Sequence, residues 1–411
     1  MASQAQKTIT VDPTSPIILI DISMLFYNAY YEAISKFYLA NGDIRLAQRE
    51  MFKEIRSINA PDLTTFKILA TQIVRRGDTI DYANIEKNDL FVTLFKTIIE
   101  RLIKKICTTV SPTPYKYGNA LLIKDCRRAD NWRTKKFPTY KQQRNARDIV
   151  TNHLQFNGKI VEQFWVTVYP KLKYQLGLKM LSLPTMEADD MAYFAKLAIR
   201  QQFPTAELII VTRDYDYLQL VDDNTKIITF DGIDLNARGF GSPQLNLAIK
   251  IMTGDASDNI SPFFYGCGEK TAQKILDRLY PNNSGDLDKC ATDFIQAIDD
   301  ITNIRPLITS IMAILTDTSS SRRGRPVTSS SRIPSADDIY TKLTQNTLII
   351  QMAKIPELYY ADFVSKYRFI DYNDALANYE AQAPPAREIT HARSRTTRTG
   401  RKVLSRARTA G

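Results

Sequence analysis

Residues 208–216 read LIIVTRDYD. A short β-branched run, Leu208 to Val211, that gives way at once to Thr-Arg-Asp reads as a buried strand ending just before Asp214. The figure occurs twice more upstream. Ile17-Ile18-Leu19-Ile20 leads straight into Asp21, and Ala120-Leu121-Leu122-Ile123 leads to Asp125 across one lysine. In parallel α/β sheets ligands sit beyond the carboxyl ends of the strands, so three strands that each finish on an acid would bring those acids to one crevice.

More acids follow the same course. MEADDMAYF (186–194) supplies Glu187, Asp189 and Asp190, TRDYDYL adds Asp216 to Asp214, and TGDASDNI supplies Asp255 and Asp258. Met191, Phe194, Ala195 and Ala198 form a helical stripe with Thr185 as its expected N-cap, which sets Glu187 and Asp190 on one face of the first turn beside Asp189. Each burst alone has an ordinary explanation, because first-turn acids complement the helix dipole and aspartates form turns. Gathered together, they would repel and raise one another's pKa unless something positive held them. A cluster of Asp and Glu without His or Cys suits a hard divalent cation such as Mg²⁺, which takes oxygen ligands and bridges to substrate phosphates. Zinc fits such a set poorly.

Composition narrows the class. The 411 residues allow two or three domains, and 44% apolar with 24% charged residues is the balance of a soluble globular protein. No apolar run reaches membrane-spanning length and the start MASQAQKTITVD lacks a secretory h-region, so an intracellular protein, cytoplasmic or nuclear and not secreted, is expected. Cys107, Cys126, Cys267 and Cys290 show no CxxC spacing and read as reduced thiols. With only His153 and His391 available, His-based metal sites and Ser/His triads are disfavoured. Net charge is +11, of which residues 387–411 carry +7 and residues 319–332 carry +4, leaving a formally neutral body. Such segregation around an acidic site points to a polyanionic substrate.

Taken in order, SMLFYNAYYEAISKFYLA after Asp21 reads as an amphipathic helix, residues 45–105 as largely helical, and SPTPYKYGNA as a turn into the second acidic strand. DCRRADNWRTKKFPTYKQQRNARDI then interleaves cations with Trp132, Phe137 and Tyr140, as a surface that neutralises phosphates and stacks bases would. A solvated charged helix is the plainer alternative. Residues 159–180 read as a helix returning to the carboxylates. Beyond GDASDN, Gly266 and Gly268 precede a helix starting near Lys270 and Thr271, whose N-terminal N–H groups could meet an anion. Residues 316–338 are low-complexity, residues 339–380 read as a C-terminal helical segment, and residues 381–411 as a basic tail.

At this point the motifs LIDISMLF, KDCRRADNWRTKKFPTYKQQR, EADD, TRDYDYLQL and GDASDNI…GCGEKTA, in that order, resemble the flap endonuclease and 5′→3′ exonuclease superfamily, particularly its phage RNase H-like branch. The resemblance covers about Ile17 to Leu276. It implies an α/β fold: a PIN-like parallel sheet flanked by helices over residues 15–240, a helical arch at about 126–184, and a helix–three-turn–helix DNA-binding element over 241–315. It also implies that Asp21, Asp125, Glu187 and Asp189 hold a first Mg²⁺, while Asp190, Asp214, Asp216, Asp255 and Asp258 complete the site around a second, with Mn²⁺ as a substitute. Lys141 and Arg144 would grip the scissile phosphate with Arg133 and Tyr140 beside them. Gly266, Gly268, Lys270 and Thr271 would bind a duplex phosphate together with K⁺. NISPFFY departs from the family's loop by lacking its first glycine and being a residue longer.

The resemblance implies a monomeric, phage- or virus-type enzyme of DNA replication or repair that cleaves 5′ flaps, nicked duplex and RNA primers in RNA–DNA hybrids, alongside replication proteins. Two other readings stand beside it: a PIN-like ribonuclease acting on RNA, and a non-catalytic DNA-binding protein.

Overall fold

The computed structural model describes residues 6–40, 89–110, 118–143, 158–300, 303–320 and 334–382. Strand β1 (Lys7–Val11) stands apart from the central sheet, which is built from β2 (Ile17–Asp21), β3 (Ala120–Ile123), β4 (Lys179–Leu181), β5 (Leu208–Val211) and β6 (Thr225–Ile228). All five strands are parallel and run across the sheet in the order β4-β3-β2-β5-β6. The chain lays β3 and β4 to one side of β2 and then returns to place β5 on the other. The switch point thus falls between β2 and β5, where a crevice opens at the carboxyl ends of the strands.

The alternation of side chains along these strands explains why the runs are wholly apolar. Ile18, Ile20, Ala120, Leu122, Ile209 and Val211 enter one core, and Ile17, Leu19, Leu121, Ile123, Leu208 and Ile210 enter the other. Both faces are covered, as a parallel sheet requires. The first core is closed by α1 (Ile22–Ala40), by α2 (Asp89–Val110) and by the helical stretch around Phe164, whose ring meets Phe26 edge-on at 5.0 Å. That stretch is α4 (Gly158–Gln163), a π-helical turn Phe164–Val168 and α5 (Tyr169–Leu176), and it follows the short α3 (Trp132–Lys136). Pro170 has no N–H to give a regular helical ladder, and the wider turn just before it absorbs the gap.

The second core is closed by α6 (Ala188–Gln202) and by chain-terminal elements. A third core gathers α7 (Pro243–Thr253), α8 (Glu269–Leu279), α9 (Leu287–Asp299), α10 (Ile304–Ser320) and α11 (Ala336–Ile350). Then α12 (Glu357–Lys366) leads into β7 (Tyr367–Asp371), which pairs in parallel with β1, and α13 (Tyr372–Gln382) follows.

Several expectations change here. Residues 159–180 are not one helix: Gly177 closes α5 in a left-handed conformation (φ 60°), and β4 follows within the span assigned to the arch. The segment 339–380 is not wholly helical, because Tyr367, Arg368 and Phe369 belong to β7. Helices run into both ends of the low-complexity stretch, to Ser320 and from Ala336, where Ser335 and Asp338 form a capping box. Residues 321–333, the arch positions 144–157, most of 45–105 and the basic tail from 383 lie outside the described residues. Cys107, Cys126, Cys267 and Cys290 are all reduced, outside any disulfide.

Candidate metal centre

The strand ends deliver the first acids. Asp21 closes β2, and its carboxylate accepts from the Met24 N–H at 3.1 Å, the Thr212 hydroxyl at 3.1 Å and the Tyr217 phenol at 3.1 Å. Thr212 directly follows β5 and Tyr217 lies in the turn beyond it, so the segment leaving the neighbouring strand fixes this side chain. Asp125, two residues past β3, accepts from the Ala188 N–H at 2.8 Å and from the Ser23 hydroxyl. Asp214 caps the tight turn Tyr215–Leu220 by accepting from the Asp216 N–H at 2.9 Å.

At α6 the structure moves the expected cap from Thr185 to Glu187. The Glu187 carboxylate takes the N–H of Asp190, and Asp190 takes the N–H of Glu187 at 3.1 Å, a reciprocal box that satisfies two orphan donors at once. The box turns the Asp190 carboxylate inward. It is fully buried and accepts from the Trp132 indole at 2.9 Å and the Arg133 guanidinium at 2.9 Å. Asp190, predicted to hold metal, is therefore a partner of Arg133, while Glu187 and Asp189 face the opening.

The basic and aromatic segment is likewise turned inward. Trp132, Arg133 and Tyr140, expected on a base-stacking surface, are buried: Arg133 is 2% exposed, and the Tyr140 phenol bonds Glu187 at 2.8 Å and Asp258 at 3.2 Å. Buried aromatics keep their polar tips bonded, and the carboxylates supply the partners. Lys141 stands at the rim with a left-handed backbone (φ 56°), its N–H donated to the Asp258 carbonyl at 2.8 Å. Its ammonium reaches Glu187 and lies 3.5 Å from Asp258. Arg144 lies outside the described residues.

The last burst completes the ring. Asp216, Asp255 and Asp258 each offer an oxygen within 4.8 Å of the others. The Gly254 backbone (φ 68°) makes the approach, and a Cβ there would meet the Ile260 carbonyl at 2.4 Å, so only glycine fits. Asp21, Asp125, Glu187, Asp189, Asp214, Asp216, Asp255 and Asp258 all line one cleft of about 280 Å³. Gly266, Gly268, Lys270 and Thr271 do not. They form a separate exposed corner where Gly266 is left-handed (φ 85°) and Gly268 caps α8.

The charges are unevenly compensated. Burial and the neighbouring Asp125 push Asp21 up to about 7, and burial also raises Asp214 and Asp189. Burial opposes ionisation of Glu187, but Lys141 and Arg133 outweigh it and hold this carboxyl at about 2. Burial opposes ionisation of Asp255 as well, yet Lys250, 3.0 Å away, and Ser257 hold it at about 2. Burial and adjacent acids raise Tyr140 and Tyr217 well above the usual phenol range, which keeps both as hydrogen-bond donors. Cys126, pushed up to about 12 by burial and then by Glu187, stays a thiol. An oxygen-only donor set with carboxyls held above their normal range fits hard divalent cations.

Sequence reasoning missed Ser23, Thr212, Tyr217, Lys250 and Gln219 as supports. Lys250 bonds both Asp216 and Asp255 from the last turn of α7. In the sequence it is one more cation near a helix C-terminus, a common placement with no chemical signal of its own.

A five-stranded parallel sheet with a ring of carboxylates at its switch point defines an α/β protein with a concentrated acidic cleft. Residues 84–242 match the family model described as 5′-3′ exonuclease, N-terminal resolvase-like domain. The chain is 31% identical over 155 residues to DNA polymerase I of Mycobacterium bovis, a match covering 35% of this chain and 16% of the polymerase. It is 27% identical over 157 residues to a 5′-3′ exonuclease of Buchnera aphidicola, covering 36% of this chain and 49% of that one. The matched part thus spans about half of the exonuclease and a sixth of the polymerase. Among solved structures, the bacteriophage T5 flap endonuclease in complex with DNA and metal ions superposes with a TM-score of 0.39 at 14% identity, covering 71% of this chain and 91% of the other.

Proposed function

We propose that this protein is a divalent-metal-dependent 5′→3′ exonuclease and flap endonuclease that hydrolyses phosphodiester bonds in DNA flaps, nicked duplex and RNA primers, acting as a monomer in replication or repair. The observation that carries the proposal is the convergence of eight carboxylates on one cleft with Lys141 at its rim. Asp21, Asp125, Glu187 and Asp189 would hold one Mg²⁺, and Asp214, Asp216, Asp255 and Asp258 a second, with Mn²⁺ as a substitute. When bound, such ions supply a water of lowered pKa and stabilise charge on the entering and leaving oxygens.

The chain's own groups do the rest. Thr212, Tyr217, Ser23 and the Ala188 N–H orient Asp21 and Asp125 before any substrate arrives. Lys141 stands where negative charge develops on the phosphoryl group, and its left-handed backbone is the kind of local strain that rigid surroundings sustain at functional sites. Arg144 is proposed to add a second cation there. The corner at Gly266, Gly268, Lys270 and Thr271 would hold a duplex phosphate with a K⁺ ion, away from the chemistry.

A panel of 5′-labelled flap, nicked and RNA-primed duplexes, with matched single-stranded RNA, tests this in Mg²⁺ and in Mn²⁺. Release of 5′ fragments from the duplex substrates is expected. Cleavage confined to single-stranded RNA would favour a ribonuclease, and DNA binding without cleavage in either metal would favour a non-catalytic protein.

A further inference from the structure

The two halves of the acid ring sit on different elements, and the same short piece of chain stands behind both. Ile349 and Ile350 end α11 and Met352 follows it, little more than ten residues past the low-complexity stretch, yet their backbone groups reach the supports of the site. The Ile349 carbonyl accepts the Nε–H of Arg133 at 2.8 Å. The same guanidinium donates to Glu187 at 3.2 Å and to Asp190 at 2.9 Å, with a further contact to Asp189 at 3.8 Å. Next along the chain, the Ile350 carbonyl accepts from the Gln219 amide at 3.1 Å, and the Met352 N–H donates to the Gln219 carbonyl oxygen at 2.8 Å. Gln219 also donates to the Asp216 carbonyl at 2.9 Å.

We infer that the Ile349–Met352 backbone positions the metal centre, holding the Glu187–Asp189 half through Arg133 and the Asp216 half through Gln219. The inference rests on the metal-site reading and adds a component from outside residues 84–242. Packing alone does not require this arrangement. Apolar side chains would serve a helix end equally well, whereas here a fully buried guanidinium and a carboxamide each divide their bonds between an acid-bearing segment and the same stretch of main chain. Burial by itself would weaken the Arg133 cation, and Asp190 and Asp189 more than offset it, so the fork stays charged and directional. Gln219 donates twice through its amide nitrogen and accepts once through its side-chain oxygen, which fixes its orientation and thereby that of the Asp216 turn.

Groups behind metal ligands typically change affinity by about 10–100-fold when removed. The test uses the full chain with Gln219→Leu, which keeps side-chain bulk and loses all three bonds, and Arg133→Lys, which keeps the charge and loses the fork. Mn²⁺ uptake is measured by calorimetry, melting is followed in parallel, and cleavage is titrated against Mg²⁺. Both variants should bind Mn²⁺ at least about tenfold more weakly and need correspondingly more Mg²⁺, with kcat recovering toward wild type at saturating metal. Wild-type Mn²⁺ affinity in folded variants, with only a lowered melting temperature, would make the contacts structural and overturn the inference. If one variant fails to fold, the other decides on the same readout. Wild-type protein that takes up no Mn²⁺ would instead overturn the metal-site reading itself.

Discussion

Asp216 carries three demands at once: its N–H is capped by the Asp214 carboxylate, its carbonyl holds Gln219, and its carboxylate meets Lys250 beside Asp255 and Asp258. Asp216→Asn preserves the shape and both main-chain bonds, so folding and DNA binding should persist while cleavage in Mg²⁺ drops by about 100-fold or more, beyond what a supporting residue costs. Turnover at the wild-type rate would contradict its place in the metal centre. Lys141→Ala should lower kcat and kcat/KM together by about 10²–10³-fold, the signature of a cation used in the transition state. A rise in KM alone would reduce Lys141 to a general phosphate contact. The acids also set a pH dependence. Asp21 is raised to about 7 from an ordinary 3.8, so the metal-free folded state keeps a proton that the unfolded chain releases, and stability falls as pH climbs through that window. Glu187 and Asp255, held near 2, act oppositely but only below about pH 4.5. Melting in EDTA should therefore be higher at pH 5.5 than at pH 8, and Mg²⁺ should stabilise chiefly at pH 8. A metal-free melting temperature that rises between those values would refute the charge balance described for Asp21.

Among the elements, β1 and β7 join the two ends of the chain around a cluster of rings in the second core. Phe363 is fully buried there, 5.8 Å from Phe194 and 5.3 Å from Tyr367 by ring centroids. Phe363→Ala should cost about 3–5 kcal/mol of unfolding free energy in a denaturant titration, the range for a large-to-small change in a packed core. A loss under about 1 kcal/mol would mean that the C-terminal elements are only loosely docked. The strands carrying Asp21, Asp125 and Asp214 were legible because they are continuous apolar runs ending on a polar break. Strand β4 was not, since Lys179 and Met180 are only half-buried and the strand has three residues. β7 was hidden because its pairing with β1 spans some 360 residues, and no local rule reports such a partner. Thr185 looked like the better cap by residue type, but the reciprocal bonds of Glu187 and Asp190 prevailed. The inward turn of Trp132, Arg133 and Tyr140 was invisible for a related reason. Composition shows a basic aromatic stretch, while only the packed structure shows that these tips are spent on the acids.

At the scale of the whole molecule, the residues outside 319–332 and 387–411 sum to no net charge, and the whole excess sits in those two stretches. Each phosphate neutralised steepens the dependence of log K on log salt by about 0.9. A chain ending at Gln382 should therefore bind duplex with a shallower salt slope and more weakly at low salt, yet cleave bound substrate at the full single-turnover rate. Identical slopes would assign the Arg-rich stretch to something other than DNA, such as a nuclear-import address. The centre itself is tested most directly by single-turnover cleavage of one 5′-labelled flap duplex across a Mg²⁺ titration beginning in EDTA. If the carboxylate ring takes two cations, as proposed, the rate should be nil in EDTA and rise more steeply than first order in Mg²⁺ before saturating, and Asp216→Asn should lose that rise. Cleavage that persists in EDTA, or that climbs to the wild-type rate in Asp216→Asn at the same Mg²⁺, would contradict it.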